Sequence, residues 1–168
     1  NCTDPRVVVV ENPTNLGVGG ATMHGYRVAL ARGADIVVKM DSDGQMDPGM
    51  LPDIVHPVAE GLADYSKGNR FFYVDGVRDM PGVGLFGNAG LSFLTKFSTG
   101  YWNIFDPTNG YTAIHRVVLE ALPLARIDNR YFFESDILFR LYLAGAVVID
   151  VPMAARYGPE ESNLKVRN

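Results

Sequence analysis

Cysteine is almost absent from this chain, and Cys2 is its single example. One thiol excludes an internal disulfide framework and a cysteine-built zinc site, as a reducing compartment permits. Histidine is scarce too: His24, His56 and His115 stand far apart, without metal-ligand spacing. No lysine or arginine run occurs, and 15 basic against 19 acidic residues leave a net charge of −4. The chain therefore lacks the electrostatic footprint of a nucleic-acid binder. No apolar stretch reaches the roughly 18 residues that span a bilayer, because Arg140, Gly145 and Asp150 interrupt the best candidate. An initiator methionine and a signal-peptide pattern are also missing, so the chain reads as a piece of something longer. Internal repeats and low-complexity tracts are absent as well.

What is present suits one globular domain over residues 1–168, with 47% hydrophobic and 20% charged residues. "RVVVV" (6–10) is a β-branched run of strand length, and "NPTNLGVGG" after it is dense in turn formers. "GATMHGYRVALAR" (20–32) offers Ala21, Tyr26, Ala29 and Leu30 as a helix face, with Gly33 as its stop. "DIVVKM" (35–40) makes a second strand. Strand, helix and strand in this order predict a βαβ unit with a parallel pair. A helix begun by Pro48 and ended near Gly61, and a strand in "ADYSKGNRF" (63–71), follow. A glycine-rich loop at 74–90 and a helix over 88–99 are expected next. Beyond the turn "DPTNGY" come a short strand or turn and helices in "HRVVLEALPLA" and "FFESDILFRLYLAG". A final strand, "AVVIDVPM", precedes a polar tail.

The chemistry concentrates in "VVKMDSDGQMDP" (37–48). Asp41 and Asp43 stand one residue apart at the carboxyl end of a strand, where open α/β sheets gather ligands. A bend at Gly44 brings both carboxylates toward one ion, and hard cations such as Mg²⁺ or Mn²⁺ take such oxygen donors while keeping positions for phosphate oxygens. A solvated acidic turn is the plain alternative. A calcium loop counted from Asp41 fails, because Met46 and Pro52 occupy the positions that require Gly and Glu. A haloacid-dehalogenase-like phosphatase, with Asp41 as nucleophile, is a rival that lacks a clear later lysine and paired-aspartate motif. "GVGG" mimics a dinucleotide fingerprint, but Thr22 replaces its third glycine.

Taken in order, "NLGVGGATMHGYRVALARGADIVVKMDSDGQMDP", "KGNR", "DPTNGYTAIHR", "FFESD" and "ARYGPEESNLK" resemble an inverting family 2 glycosyltransferase. The branch it resembles contains dolichol-phosphate mannose synthases and other polyprenyl-phosphate glycosyltransferases. The resemblance covers almost the whole chain and implies an α/β, GT-A-like fold. That fold has a mostly parallel sheet flanked by helices, and the first βαβ portion is expected to be absent here. It implies that Asp41, Asp43 and Gln45 hold Mg²⁺ or Mn²⁺ and the donor diphosphate. Arg70, Arg156 and Lys165, with Ser162, are expected at phosphates, and Asp106 and Asn109 at the acceptor pocket. Glu134 and Asp136 are the catalytic candidates. The resemblance favours Glu134 as the base, because counting back from Arg140 it falls where the family's base Asp stands; residues two apart on a helix point about 200° away from each other, so the two acids are not expected to face one pocket. A phosphate acceptor, already anionic, needs no base.

The implied partners are a nucleoside-diphosphate sugar and a lipid-phosphate or glycan acceptor, with no nucleic acid and with self-association open. The implied location is cytoplasmic, at the cytoplasmic membrane face in the full-length protein, through segments outside this chain. Two alternatives to a metal-dependent, inverting sugar transfer stay open: the phosphatase, and a non-catalytic fragment or pseudoenzyme. Tyr101, Trp102 and Phe105 fit a sugar- or lipid-facing platform or ordinary packing.

Overall fold

Short runs of four or five residues, covered on both faces, build the sheet of this computed structural model, which describes residues 4–72, 96 and 99–153. The strands are β1 (Ile36–Lys39), β2 (Tyr65–Asn69), β3 (Thr112–His115) and β4 (Val148–Pro152). Their order across the sheet is β1-β3-β2-β4. β3 is antiparallel to both β1 and β2, whereas β2 and β4 are parallel. Three of the four strands thus point one way, but only one of the pairings is parallel. The GT-A-like α/β class holds, and the mostly parallel pairing expected of it is corrected to a mixed one.

The helices are α1 (Gly17–Ala31), α2 (Leu51–Ala59), α3 (Arg116–Ala121) and α4 (Phe133–Leu143). Asp47 accepts from Gly49 N at 2.9 Å and caps the 3-10 turn Pro48–Met50 that leads into α2. His115 does the same for α3, its Nδ1 accepting from Val117 N at 3.2 Å. Period-two alternation divides the core between the two sheet faces. Ala113 and Val151 pack with Ile54 and Val58 of α2 on one face. Tyr65, Ile114 and Val148 pack on the other with Met23, Tyr26, Leu119, Phe133, Ile137 and Leu141.

The run 6–10 is not a strand in this structure. Val7 and Val9 are 52% and 80% exposed, and a turn tied by Arg6 to Asp4 opens the segment. The neighbour of β1 is β3 instead, so the expected βαβ pair does not form among the described residues. Strand-forming side chains make a strand only where another edge supplies hydrogen bonds. The loop at 74–90 and the helix at 88–99 lie outside the described residues except Lys96 and Thr99.

The glycines of "GVGG" have a packing purpose. The loop 128–130 lies across the start of α1, where Gly20 N donates to Asn129 O at 3.0 Å. A Cβ on Gly19 would stand 2.3 Å from Asp128 O and 2.8 Å from Phe133 Cβ. Peptide backbone thus covers the helix end that a dinucleotide phosphate would need. Gly19→Ala should destabilise the protein by about 1–3 kcal/mol through overpacking. Gly25→Ala, in the same helix and with nothing within 4 Å of its Cβ position, should stabilise it by about 0.5–1 kcal/mol. Denaturant unfolding of the two variants checks both signs.

Candidate active site at the carboxyl ends of the strands

Two rows of side chains cross the sheet on its α1 and α4 face. In the first, Val37, Ile114, Tyr65 and Val148 are successive register partners, all apolar or aromatic. Two residues further along β1, β2 and β4, and two back along the antiparallel β3, the partners are Lys39, Thr112, Lys67 and Asp150. The second row lies at the last residue of β1 and at the middle of β2 and β4, nearer their carboxyl ends than the first row. The core face therefore changes from oil to charge within one pleat.

A charge in that position needs an answer, since an unpaired buried ion costs several kcal/mol. Glu134, in the first turn of α4, supplies it. Its Oε1 lies 3.0 Å from Lys39 Nζ and its Oε2 lies 3.5 Å from Lys67 Nζ. One carboxylate thus bridges lysines from strands that have β3 between them. Lys39 also donates to Asp41 Oδ1 at 2.8 Å and to Gly110 O at 3.3 Å. Burial opposes its charge, but Glu134 and Asp41 prevail and raise its pKa above the ordinary lysine value. Lys67 is wholly buried and donates to Asn109 O and Glu134. Burial prevails there and pushes its ammonium down, with Glu134 opposing. Tyr26 and Tyr65 lie beneath, and burial raises both far above the phenol range, with Glu134 adding to the shift.

The predicted residues fall into three groups. Asp41, Asp43 and Gln45 occupy the loop leaving β1, where Asp43 Oδ1 accepts from Gln45 N at 3.0 Å and Gly44 takes φ +78. Asp43 is exposed and Asp41 and Gln45 are half-buried. Gly110 presses against this loop so closely that a Cβ there would stand 2.2 Å from Asp41 Oδ2. Arg70, Asp106 and Asn109 form a second group. Arg70 grips Asp106 through Nε at 2.7 Å and Nη2 at 2.9 Å, so its guanidinium is already engaged by a carboxylate. Asp106 and Asn109 are buried and hold the loop 106–111 from within. Thr108, between them, is the residue of that loop that reaches the cleft.

The third group is the helix pair. Glu134 and Ser135 line a cleft of about 470 Å³ with Lys39, Asp41 and Thr108. Asp136 does not join it. Its Oδ2 accepts from Asp128 N at 2.8 Å and its Oδ1 pairs with Arg140 Nε at 3.1 Å. The helical turn between the two acids separates them as the 3.6-residue period requires. Arg156, Ser162 and Lys165 lie outside the described residues. Trp102 and Phe105 lie away from the cleft, while Tyr101 bonds Ala146 O at 2.6 Å and meets Tyr142 edge-on at 5.6 Å.

Sequence reasoning missed Lys39, Lys67 and Asp150. The signal was available: each stands two residues after a core residue, so alternation places it on the core face.

The glycosyl transferase family 2 model matches residues 1–122. The chain belongs to glycosyl transferase family 2. Membership sets the phosphatase alternative aside. A UDP-N-acetylglucosamine--dolichyl-phosphate N-acetylglucosaminyltransferase of Methanococcus voltae is 34% identical over 133 residues, 79% of this chain and 53% of the relative. A polyprenol monophosphomannose synthase of Mycolicibacterium smegmatis is 34% identical over 152 residues, 89% of this chain and 57% of the relative. This family 2 chain therefore spans little more than half the length of these relatives. Among solved structures, glucosyl-3-phosphoglycerate synthase of Mycobacterium tuberculosis in complex with UDP superposes with a TM-score of 0.58 at 25% identity. That match covers 93% of this chain and 50% of the other. The same synthase with Mn²⁺ and UDP-glucose gives 0.54 at 26% identity, covering 90% and 49%. No helix among the described residues is long and apolar enough to cross a membrane.

Asp150 closes the charged row. Its Oδ2 accepts from Phe105 N at 2.8 Å and Asn69 Nδ2 at 2.9 Å, while Oδ1 is buried without a partner. Burial raises its pKa to about 6, the backbone bond from Phe105 and the charge of Lys67 opposing. A raised carboxyl pKa means that the folded state holds a proton the unfolded state has released, so stability falls as pH climbs from about 4 through about 6. Asp150→Asn should remove that loss. The variant should gain on the parent by up to about 3 kcal/mol between pH 4 and pH 7, measured by urea unfolding across that range.

Proposed function

We propose that this chain carries the catalytic centre of an enzyme that transfers a sugar from a nucleoside-diphosphate sugar to a polyprenyl phosphate, with inversion at the anomeric carbon. The observation that carries this reading is the placement of Asp41 and Asp43 beyond the end of β1, above the Lys39–Glu134–Lys67 bridge. The named activities of the relatives supply the donor and acceptor classes.

The loop suits a divalent cation. Asp41 and Asp43 offer hard oxygen donors, and the bare Gly110 lets the Asp41 carboxylate and Lys39 lie against the loop 106–111 where any side chain would clash. Among the described residues, no three acidic, histidine or cysteine side chains group closely enough to enclose an ion. Two carboxylates alone leave positions open for the oxygens of a ligand, a pattern usual for Mg²⁺ and Mn²⁺. Asp41 and Asp43 would hold the ion, with Gln45 beside them, and it would offset negative charge on the departing diphosphate.

The chain's own side chains do the positioning. Lys39 fixes the Asp41 carboxylate from below at 2.8 Å. It adds positive charge where the leaving group gathers negative charge. The acceptor attacks from the opposite face of the sugar, which inverts the centre. An anionic acceptor fits Glu134 as found. Each of its oxygens already faces an ammonium group, so Glu134 is held in an ion-pair bridge and would have to meet a hydroxyl proton through the lone pairs that remain. A phosphate oxygen makes no such demand.

Asp43→Asn in the full-length enzyme should lower metal-dependent transfer to a polyprenyl phosphate by roughly 100-fold or more. Stability should stay within about 0.5 kcal/mol, since the side chain is exposed. Radiolabelled sugar transfer with and without Mn²⁺ measures the first and thermal unfolding the second; unchanged turnover would remove this reading.

A further inference from the structure

The cleft that holds Lys39, Asp41 and Glu134 has an outer wall that the proposed chemistry leaves unused. Val18, at the start of α1, and Tyr131 and Phe132, just before α4, form that wall. Tyr131 is 95% exposed, Phe132 61% and Val18 43%. Two adjacent rings so far out of the core add little to folding, yet each carries roughly 150–250 Å² that a ligand can cover. They are held in place from both sides. Asn129 O is pinned to Gly20 N at 3.0 Å, and Asp136 ties down the amide of Asp128 at 2.8 Å. The rim is therefore the end of a fastened loop.

Charged and apolar side chains share the lining of the cleft. On its floor Lys39 is answered by Asp41 and Glu134. Arg130, which also lines the cleft, is exposed and makes no ion pair among the described residues. The rings of Tyr131 and Phe132 follow Arg130 in the chain and line the same cleft. Balanced floor, unanswered cation and apolar rim match an amphiphile whose anionic head is attached directly to an apolar tail.

We propose that Val18, Tyr131 and Phe132 seat the first isoprenoid units of the acceptor while Arg130 lies beside its phosphate. The inference rests on the acceptor class proposed above and adds where its tail enters. Free phosphate shares the head chemistry, so chain length separates the two sources.

The test is calorimetric titration of the full-length enzyme with inorganic phosphate, isopentenyl phosphate and farnesyl phosphate, all below their aggregation limits. The parent should bind farnesyl phosphate at least about tenfold more tightly than isopentenyl phosphate. The double variant Tyr131→Ser/Phe132→Ser should lose most of that ratio, and Arg130→Gln should weaken both prenyl phosphates by the same factor. All three side chains are exposed, and unchanged thermal midpoints would show that the variants fold. Equal affinity for the two prenyl phosphates, a ratio that survives the double variant, or no binding of any probe would overturn the seat. Sugar transfer to undecaprenyl phosphate is followed separately. Its absence in the parent would remove the proposed function, whereas its presence without chain-length dependence in binding would remove only the seat.

Discussion

The buried ammonium of Lys67 is the constraint around which this end of the molecule is arranged. A lysine wholly removed from water, on the core face of a central strand, is tolerable only with oxygen atoms close around it. Those atoms come from Asn109 O and Glu134, which lie 42 and 67 residues further along the chain. The loop 106–111 and the start of α4 must therefore both converge on β2. The convergence costs further desolvation, because Asp106 and Asn109 are buried with the loop. Arg70 and Tyr111 N return the missing bonds. Removing one partner from such a network usually costs about 3–5 kcal/mol, since the charge left behind stays buried.

From that convergence the geometry of the site follows. Once the loop is drawn in, Gly110 stands against Asp41 and Lys39 at distances that no side chain would permit. Once α4 begins above Lys67, Glu134 is within reach of Lys39 as well. A single carboxylate then ties β1 to β2 across β3. Asp41 inherits its position from Lys39, and the Asp43 turn follows Asp41 by two residues. Asp41 and Asp43, the proposed cation ligands, are thus positioned through a chain of ion pairs that starts inside the sheet. Exposed ion pairs contribute little by themselves. Here Lys39 is 8% exposed and Glu134 14%, a setting in which solvent screens them far less.

Much of this was legible from residue order, and the reasons for the remainder are physical. Gly33 and Pro48 punctuate the chain clearly, so α1, α2 and the strands at 36–39, 65–69 and 148–152 could be read from local signals. The placement of Asp41 and Asp43 at a strand end followed from the apolar run before them. Strand neighbours were not legible in this way. Nothing local to "YTAIH" says that it lies between β1 and β2 and runs against both. Nothing local to "RVVVV" says that its valines stay in solvent. Pairing depends on which edges are available, and that is a property of the assembled sheet. The lysines escaped notice for a different reason. "VVK" and "YSK" read as strands about to end in water, whereas the phase set by Val37 and Tyr65 carries both lysines inward.

The division between Glu134 and Asp136 shows how closely role depends on phase. Both are acids in the first turn of α4, and both suit the helix dipole equally well. Half a turn separates them. The inward one meets Lys39 at the end of β1 and Lys67 in the middle of β2, and the outward one closes a local clasp with Asp128 and Arg140. Helix phase is in turn set by Phe133, Ile137 and Leu141, which must pack on Met23, Tyr26 and Tyr65. The apolar core therefore decides which carboxylate enters the site, although it contributes no chemistry there. Placing Ser135 between the acids is what makes them different: adjacent acids would lie about 100° apart on the helix, and with two acids facing the cleft the lysine charges would be shared. With one, Glu134 alone bridges Lys39 and Lys67, and Lys39 keeps its second partner in Asp41.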